Sequence, residues 1–234
     1  MEAHTAYILH RRPFRETSLL VELFTADAGR VGVVARGGRK PRKGATPLEP
    51  FRPLWATWRG RGELPTLGAV ESGGPPAALH GEALYLGLYL NEVLVRLCPR
   101  FEPYPGLFRA YGQTLERLTG EAPEVALRRF EAVLLRELGV GPDWSRCAGC
   151  GAEVSPGARY AWAEEQGVLC PACGRAGPGF SGEAVRFLGG GDPPGDPTVR
   201  REARDLMRRA LAPYLGPRPL ESRELLRALR RGGA

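Results

Sequence analysis

Four of the five cysteines lie within residues 147–173, and their spacing constrains the fold more than any other feature of the chain. Cys147 and Cys150 are two residues apart, as are Cys170 and Cys173, and nineteen residues separate the pairs. Two such C-x2-C knuckles can bring four thiolates around one tetrahedral ion. The spacing therefore predicts a four-cysteine zinc ribbon with one Zn2+ per chain, in which "RYAWAEE" and "GVLC" form strands.

Four sulfur ligands leave no coordination position open for water, so the zinc is predicted to be structural and not catalytic. Redox-active CxxC pairs and disulfides are the alternative interpretations of the same spacing. The fifth cysteine, Cys98, is most simply a packed core thiol.

Five short segments rich in Val, Leu, Ile, Thr and aromatic residues precede residue 73 and predict strands. They are "AYILHRR", "SLLVELFTA", "RVGVVAR", "PLWATWR" and "LPTLGAVES". In the second segment Leu19, Val21 and Leu23 share one face. Five short strands in about 70 residues predict a small closed barrel of the oligonucleotide/oligosaccharide-binding (OB) kind. An SH3-like barrel and an open five-stranded sheet are the alternatives.

The predicted loop between strands three and four, residues 35–47, is called the basic loop here. It has no acid and carries Arg36, Arg39, Lys40, Arg42 and Lys43. The two lysines are the only ones among 33 basic residues, and residues 28–62 hold nine basic residues against one acid. The net charge of +7 favours a polyanionic partner, nucleic acid before membrane. We predict that these five side chains bind phosphates, with a solvated connection as the alternative.

Helical patterns follow "GGPP" at residues 73–76. Apolar residues recur at steps of three or four over residues 79–97, 107–118 and 127–138, and Gly139 is predicted to end the third helix. Thr198 and Ser222 are predicted N-caps of two more helices, the first ending at Pro213. Residues 189–197, "GGGDPPGDP", are predicted to be a loop.

Sequence signatures of catalysis and of targeting are missing. The chain has no G-x-x-x-x-G-K-[ST] loop, three scattered histidines and no clustered carboxylates, which favours a binding protein over an enzyme. The sequence shows no signal peptide and no run of about 20 apolar residues. We therefore expect a cytoplasmic protein with reduced thiols and no membrane partner.

Three quoted segments together carry a family resemblance. They are "HRRPFRETSLLVELFTADAGRVGVVARGGRK", "RRFEAVLLRELGVGPDWSRCAGCG" and "YLGPRPLESRELLRAL". The first is similar to R-x-Y/F-x-E followed by F-T-x-x-x-G and A-R-G-x-R, the second to a helix that runs into the first cysteine pair, and the third to L-x-S-R before a last helix. In this order and spacing, over about 70 of 234 residues, they resemble the RecO family of bacterial recombination mediators.

The resemblance implies a multidomain α+β fold, with an N-terminal five-stranded OB barrel and then a helical domain into which the zinc ribbon is inserted. The predicted domains are residues 1–76 (OB-fold, nucleic-acid-binding), 77–144 (helical, first part), 145–180 (zinc ribbon) and 181–234 (helical, second part).

The resemblance also implies a function in RecF-type DNA repair at the nucleoid. The chain would bind single- and double-stranded DNA, anneal complementary strands and, with RecR, help load RecA onto DNA coated by single-stranded-DNA-binding protein (SSB). It would contact the acidic C-terminal tail of SSB. Such a peptide needs an apolar groove with an arginine rim, so we predict that it contacts Arg128 and Arg129. The alternative interpretation is that these two arginines belong to a solvated helix face.

Two rival functions stay open. An OB barrel with a zinc ribbon also occurs in RNA-binding and transcription-associated factors, and ungrouped carboxylates could serve a nuclease. Annealing of SSB-coated strands without ATP would distinguish a DNA repair mediator from both rivals. Metal-dependent strand cleavage would establish a nuclease.

Overall fold

The computed structural model describes residues 2–40, 42–60, 62, 64–120, 122–174 and 179–232. By contacts the chain divides into two compact units: unit 1 combines Met1–Glu121 with Arg218–Ala234, and unit 2 is Ala122–Pro217. The four-part domain division made from the sequence stays a prediction. The multidomain α+β class is confirmed, because a strand-rich N-terminal part is followed mainly by helices.

The strands are β1 His4–Phe14, β2 Ser18–Thr25, β3 Gly29–Ala35, β4 Leu54–Arg59, β5 Thr66–Ser72, β6 Arg159–Ala163, β7 Gly167–Leu169 and β8 Phe180–Ser181. The helices are α1 Glu82–Leu97, α2 Pro105–Arg117, α3 Pro123–Glu137, α4 Gly182–Leu188, α5 Pro197–Leu215 and α6 Glu221–Gly232.

Strands β1 to β5 form a closed barrel in the order β1-β2-β3-β5-β4, with β1 also paired to β4. The β3–β5 pair is parallel, and the other pairs are antiparallel. Closure excludes the open sheet, and a five-stranded barrel in this order is the OB arrangement that the sequence predicts.

Strand β2 is buried on both faces, which explains its almost unbroken apolar run. Leu19, Val21 and Leu23, predicted to share one face, lie in the barrel core. On the opposite face, the ring of Phe24 packs against Phe108 of α2 with centroids 5.5 Å apart. The helices of unit 1 thus cover the outside of the barrel at this strand.

Two polar contacts tie the helices of unit 1 together and to the barrel. The buried Asn91 side chain on α1 donates to the Leu9 carbonyl (2.9 Å) and accepts from the Tyr111 hydroxyl (2.6 Å). The Glu92 carboxylate accepts hydrogen bonds from the Ser222 backbone N–H (2.9 Å) and hydroxyl (2.6 Å), at the start of α6. The C-terminal helix is therefore fixed to α1 through its first turn.

Unit 2 contains a three-stranded sheet in the order β7-β6-β8 together with α3, α4 and α5. Strands β6 and β7 form within the segments predicted for the ribbon. Trp144 and Trp162 stack with ring centroids 6.1 Å apart. Helix α4 was not predicted, because its seven residues are too few to display a helical period.

Three predicted helix boundaries are wrong. Asp196, not Thr198, caps α5, because its carboxylate accepts from the Thr198 backbone N–H at 2.7 Å. Ser222 lies inside α6 and donates to Glu92 instead of capping its own helix. Helix α5 continues past Pro213 to Leu215, where Gly216 with φ 69° ends it. Proline is thus accommodated in this last turn.

Among the described helices, none combines the length and the apolar character that crossing a bilayer requires.

Candidate functional site

The four predicted metal ligands lie together in unit 2. The sulfur atoms of Cys147, Cys150, Cys170 and Cys173 all lie within 4.8 Å of one another. The Cys150 and Cys170 sulfurs are 3.7 Å apart, close to the roughly 3.8 Å edge of a tetrahedron with ~2.3 Å metal–sulfur bonds. A disulfide needs about 2.05 Å between its sulfurs, so the thiols are free and the cluster has the dimensions of a metal site.

Backbone N–H groups prepare the cluster for a cation. The Cys170 and Gly149 N–H groups donate to the Cys147 sulfur at 3.2 and 3.4 Å. The hydrogen bond from the Cys170 N–H is the main cause that lowers the pKa of the Cys147 thiol to about 6. By contrast, the Cys173 thiol donates to the Cys150 and Cys170 sulfurs, and these hydrogen bonds favour its protonated form and raise its pKa to about 12. The cluster thus offers one ready thiolate and holds protons that a bound cation would displace.

A glycine in each knuckle permits the close approach of the chain. A Cβ atom on Gly149 would lie 3.0 Å from the Cys173 sulfur, and one on Gly174 would lie 2.8 Å from the Ala161 methyl. Cys98 lies apart from the cluster in unit 1, where burial raises the pKa of its thiol to about 12. The interpretation of Cys98 as a core thiol fits that position.

The basic loop connects β3 to β4 on the barrel. All five of its predicted phosphate-binding side chains are exposed: Arg36, Arg39, Lys40, Arg42 and Lys43. Arg39 differs from the others, because its guanidinium donates to the backbone carbonyls of Glu16 (2.9 Å) and Arg15 (3.4 Å). Its backbone N–H donates to the Thr17 carbonyl at 3.1 Å. The first part of the loop is therefore fixed to the turn between β1 and β2.

A groove beside this turn brings basic and aromatic side chains together. We call it the barrel groove; its volume is about 650 Å³ and its lining includes Phe14, Arg15, Val34, Arg36, Leu64 and Thr66. The Arg15 guanidinium lies 5.2 Å from the centre of the Phe14 ring. Of these residues the sequence predicted Arg36 as a phosphate contact, whereas Arg15, which lies between the first two strand segments in "PFRET", was missed.

Not every basic side chain of residues 28–62 is available to a ligand in the structure. Arg30 pairs with Glu22 at 3.0 Å, and Arg52 pairs with Glu49 at 2.6 Å. These two guanidinium groups are already neutralised within the protein. Arg61 lies outside the described residues. Two aromatic residues of this region that could stack bases differ in exposure: Phe51 is buried, whereas Trp55 is 47% exposed.

The excess positive charge of the chain belongs entirely to unit 1. The sequence of unit 1 holds 21 basic residues against 14 acidic ones, whereas that of unit 2 holds 12 of each. Unit 1 therefore carries the whole net charge of +7 and with it the long-range attraction for a polyanion.

A second groove, which we call the α3 groove, lies in unit 2. Its lining includes Arg129, Val133, Arg136, Trp144, Phe187 and Leu188. Arg128 points elsewhere: it is 7% exposed and pairs with Glu131 at 2.8 Å. The structure thus places Arg129 at a groove and Arg128 in the interior of the unit. Arg136 was missed, although it follows Arg129 by seven residues and so shares its helix face.

Comparisons with known proteins decide the family. The model described as "Recombination protein O N terminal" matches residues 1–74, and the model described as "Recombination protein O C terminal" matches residues 79–224. The chain belongs to the RecO family. A DNA repair protein RecO from Alkalilimnicola ehrlichii is 48% identical over 97% of this chain and 91% of its own length. Another from Halorhodospira halophila is 42% identical over 98% of each chain.

Membership of the RecO family makes this chain a DNA repair protein, because the relatives carry that description. The resemblance seen in the sequence is confirmed, and it extends from the quoted segments to nearly the whole chain. Two structural features bear on the function of this family member: the OB barrel with its basic loop, and the cysteine cluster.

Proposed function

We propose that this RecO family member binds single- and double-stranded DNA through unit 1, anneals complementary strands and performs no catalytic chemistry. The observation that carries the proposal is the exposed basic loop, which Arg39 anchors to the β1–β2 turn of an OB barrel. Flexible cations on a fixed base hold phosphates without reading sequence. Annealing needs such contacts, because base edges of both strands must stay free to pair.

Of two further observations, the first supports nucleic-acid binding and the second bears on the nuclease alternative. All of the net positive charge lies in unit 1, which is the electrostatic signature of a nucleic-acid-binding surface. Among the residues that the structure describes, the cysteine cluster is the one group of three or more His, Cys, Asp and Glu with metal-binding geometry. A nuclease of the two-metal type would need grouped carboxylates.

For partners, we propose RecR, SSB and, indirectly, RecA, on DNA of the cytoplasmic nucleoid. The α3 groove is the best candidate for the acidic SSB tail. Arg129 and Arg136 offer two charges at its rim, and Val133 and Trp144 offer apolar surface. An acidic peptide with an apolar end fits both features. The prediction for Arg129 is retained; Arg128 would act on the tail only through the packing of α3.

For the cysteine cluster, we propose one structural Zn2+ held by Cys147, Cys150, Cys170 and Cys173. Four free thiols at tetrahedral spacing suit zinc, which prefers this ligand set. The ion would replace a hydrophobic core in the small ribbon around β6 and β7, so its role would be to stabilise unit 2.

Strand annealing in the presence of SSB and the absence of ATP tests the proposal. Two complementary fluorescently labelled strands are coated with SSB, and the rate of duplex formation is followed with and without the protein. We expect faster annealing with intact strand lengths afterwards. Metal-dependent shortening of the strands would establish a nuclease. Tight binding of RNA with no annealing of DNA would establish the RNA-binding alternative.

A further inference from the structure

The β1–β2 turn holds an unusual conformation at the edge of the barrel groove. Arg15 has φ 53°, in the left-handed region that non-glycine residues rarely occupy. The surrounding structure keeps it there, because the Arg39 guanidinium donates to the carbonyl oxygens of Arg15 and Glu16. Strain maintained by neighbouring contacts is a feature of functional sites. The strained turn is therefore a candidate functional element.

The turn presents an aromatic ring with one arginine over it. Phe14 is half-buried and lines the barrel groove, and the Arg15 guanidinium lies 5.2 Å from its ring centre. Arg36, the first cation of the basic loop, lines the same groove. Leu64, which is 47% exposed, adds a second apolar surface. Glu16 also lines the groove, and the two arginines outnumber it.

This combination matches the chemistry of an unpaired nucleotide. A base offers a flat π-face that packs against an aromatic ring, and its phosphate attracts guanidinium groups. A paired base inside a duplex keeps its faces stacked on its neighbours, so it cannot reach the Phe14 ring. The groove volume of about 650 Å³ lies within the range of small-ligand sites.

We infer that the barrel groove is a subsite for one unpaired nucleotide of single-stranded DNA, with its base against Phe14 and its phosphate near Arg15 and Arg36. This inference rests on the proposed DNA-binding function and adds a basis for telling single strands from duplex. The basic loop binds phosphates of either form, whereas the subsite acts on single strands alone. Arg39 is a positioning residue, because it holds the turn that carries Arg15.

The test is a cycle that varies the protein and the DNA together. Binding of a short oligothymidylate, an abasic oligomer of equal length and a duplex is measured by fluorescence anisotropy. The proteins are the wild type, Phe14→Leu, Phe14→Trp and the control Phe101→Leu, which makes the same change at an exposed aromatic outside the groove. Circular dichroism and thermal unfolding check that each variant folds.

We expect Phe14→Leu to weaken oligothymidylate binding by about fivefold or more, the lower end of what a base–aromatic stack contributes. Phe14→Trp and Phe101→Leu should bind like the wild type, and abasic and duplex DNA should bind all four proteins equally. Equal losses on abasic DNA would make Phe14 structural and overturn the subsite, as would unchanged oligothymidylate binding. Stronger Phe14-dependent binding of an oligoribonucleotide would assign it to RNA instead. A wild-type protein that binds no DNA would refute the proposed function itself.

Discussion

The Arg39 guanidinium lies 2.9 Å from the backbone carbonyl oxygen of Glu16, so one of the five exposed cations of the basic loop is an internal anchor. We predict that Arg39→Ala frees the first part of the loop, because each lost hydrogen bond of this kind contributes about 0.5–1.5 kcal/mol. Hydrogen exchange at residues 36–40 should accelerate. Arg42→Ala removes the same charge from the same loop and should leave that exchange unchanged. Equal exchange in both variants would show that Arg39 does not anchor the loop.

The two lysines of the basic loop are predicted to bind phosphates directly. Each phosphate neutralised on a single strand adds about 0.7 to the slope of log K against log salt, so Lys40→Ala with Lys43→Ala should flatten it by roughly one to one and a half. Binding should weaken on every sequence tested, and annealing should fall in parallel. Arg200→Ala with Arg201→Ala in unit 2 is the matched control for charge. A double lysine variant with the wild-type slope would favour a solvated loop.

The zinc proposal predicts one metal ion per chain, measured by elemental analysis under reducing conditions. Cys150→Ser should release the ion and lower the melting temperature of unit 2, because a closed four-thiolate site contributes directly to folding. Cys98→Ala also removes a thiol and should keep the full zinc content. DNA binding should fall only as far as folding does. Purified protein without zinc, combined with an unchanged melting temperature in Cys150→Ser, would contradict the proposal.

The α3 groove predicts how the SSB tail is recognised. Arg129→Glu with Arg136→Glu should weaken binding of a tail peptide by at least about tenfold, since charge-assisted hydrogen bonds contribute about 1.5–3 kcal/mol each. Isothermal titration with the full chain measures this. The control, Arg201→Glu, places an acid on α5 of the same unit outside the groove. If the control weakened the peptide as much as the groove variant, net charge and not the groove would explain binding.

Glu92 predicts a pH-dependent attachment of α6. Partial burial alone raises the pKa of Glu92, but hydrogen bonds from Ser222 and from the Glu221 N–H, with Arg96 nearby, together lower it below its ordinary 4.5. A carboxyl with a lowered pKa stabilises the folded state above its unfolded pKa and loses that effect as pH falls through its folded pKa. Attachment of α6 should therefore be strongest near neutral pH and weaken below about 4.5.

Glu92→Gln tests this directly. At neutral pH the α6 amides should exchange faster than in wild type, by the equivalent of about 1–2 kcal/mol. The difference should shrink as the pH falls below the ordinary pKa of a glutamate. Glu71→Gln makes the same chemical change on an exposed strand position and should leave α6 unaffected. A difference that persists unchanged in acid would assign the effect to shape and not to charge.

Local patterns predicted the barrel and the cysteine cluster because both are encoded by short-range signals. The period of two in β2 put Leu19, Val21 and Leu23 on one face, which lies in the barrel core, and cysteine spacing put four sulfurs together. The role of each arginine depended on distant partners. Arg30 meets Glu22 across a strand pair, and Arg39 meets the carbonyl of Glu16, a contact between residues 23 apart in the sequence. The amino-acid composition does not distinguish an arginine that pairs within the protein from one that can reach a ligand.

Helix boundaries show the same limit at a smaller scale. Thr198 and Asp196 are both good caps in a sequence, and only the direction of the chain before α5 selects Asp196. Ser222 has a capping side chain but donates to Glu92, which lies 130 residues earlier. An acceptor so far away in the sequence, which takes the hydrogen bond of the Ser222 hydroxyl, cannot be recognised from the residues around Ser222. The same holds for Arg128, whose position beside Arg129 did not reveal that it pairs inward with Glu131.

Unit 1 is built from two separate segments of the chain, and this sets the order in which it can be completed during synthesis. The ribosome releases the barrel, α1 and α2 first, but the partner that covers α1 is the last helix of the chain. Between them lie the 96 residues of unit 2, whose synthesis takes roughly 5–20 s at bacterial elongation rates. During that interval α1 is exposed on the surface that α6 later buries. A chain truncated before α6 would keep that surface of α1 exposed.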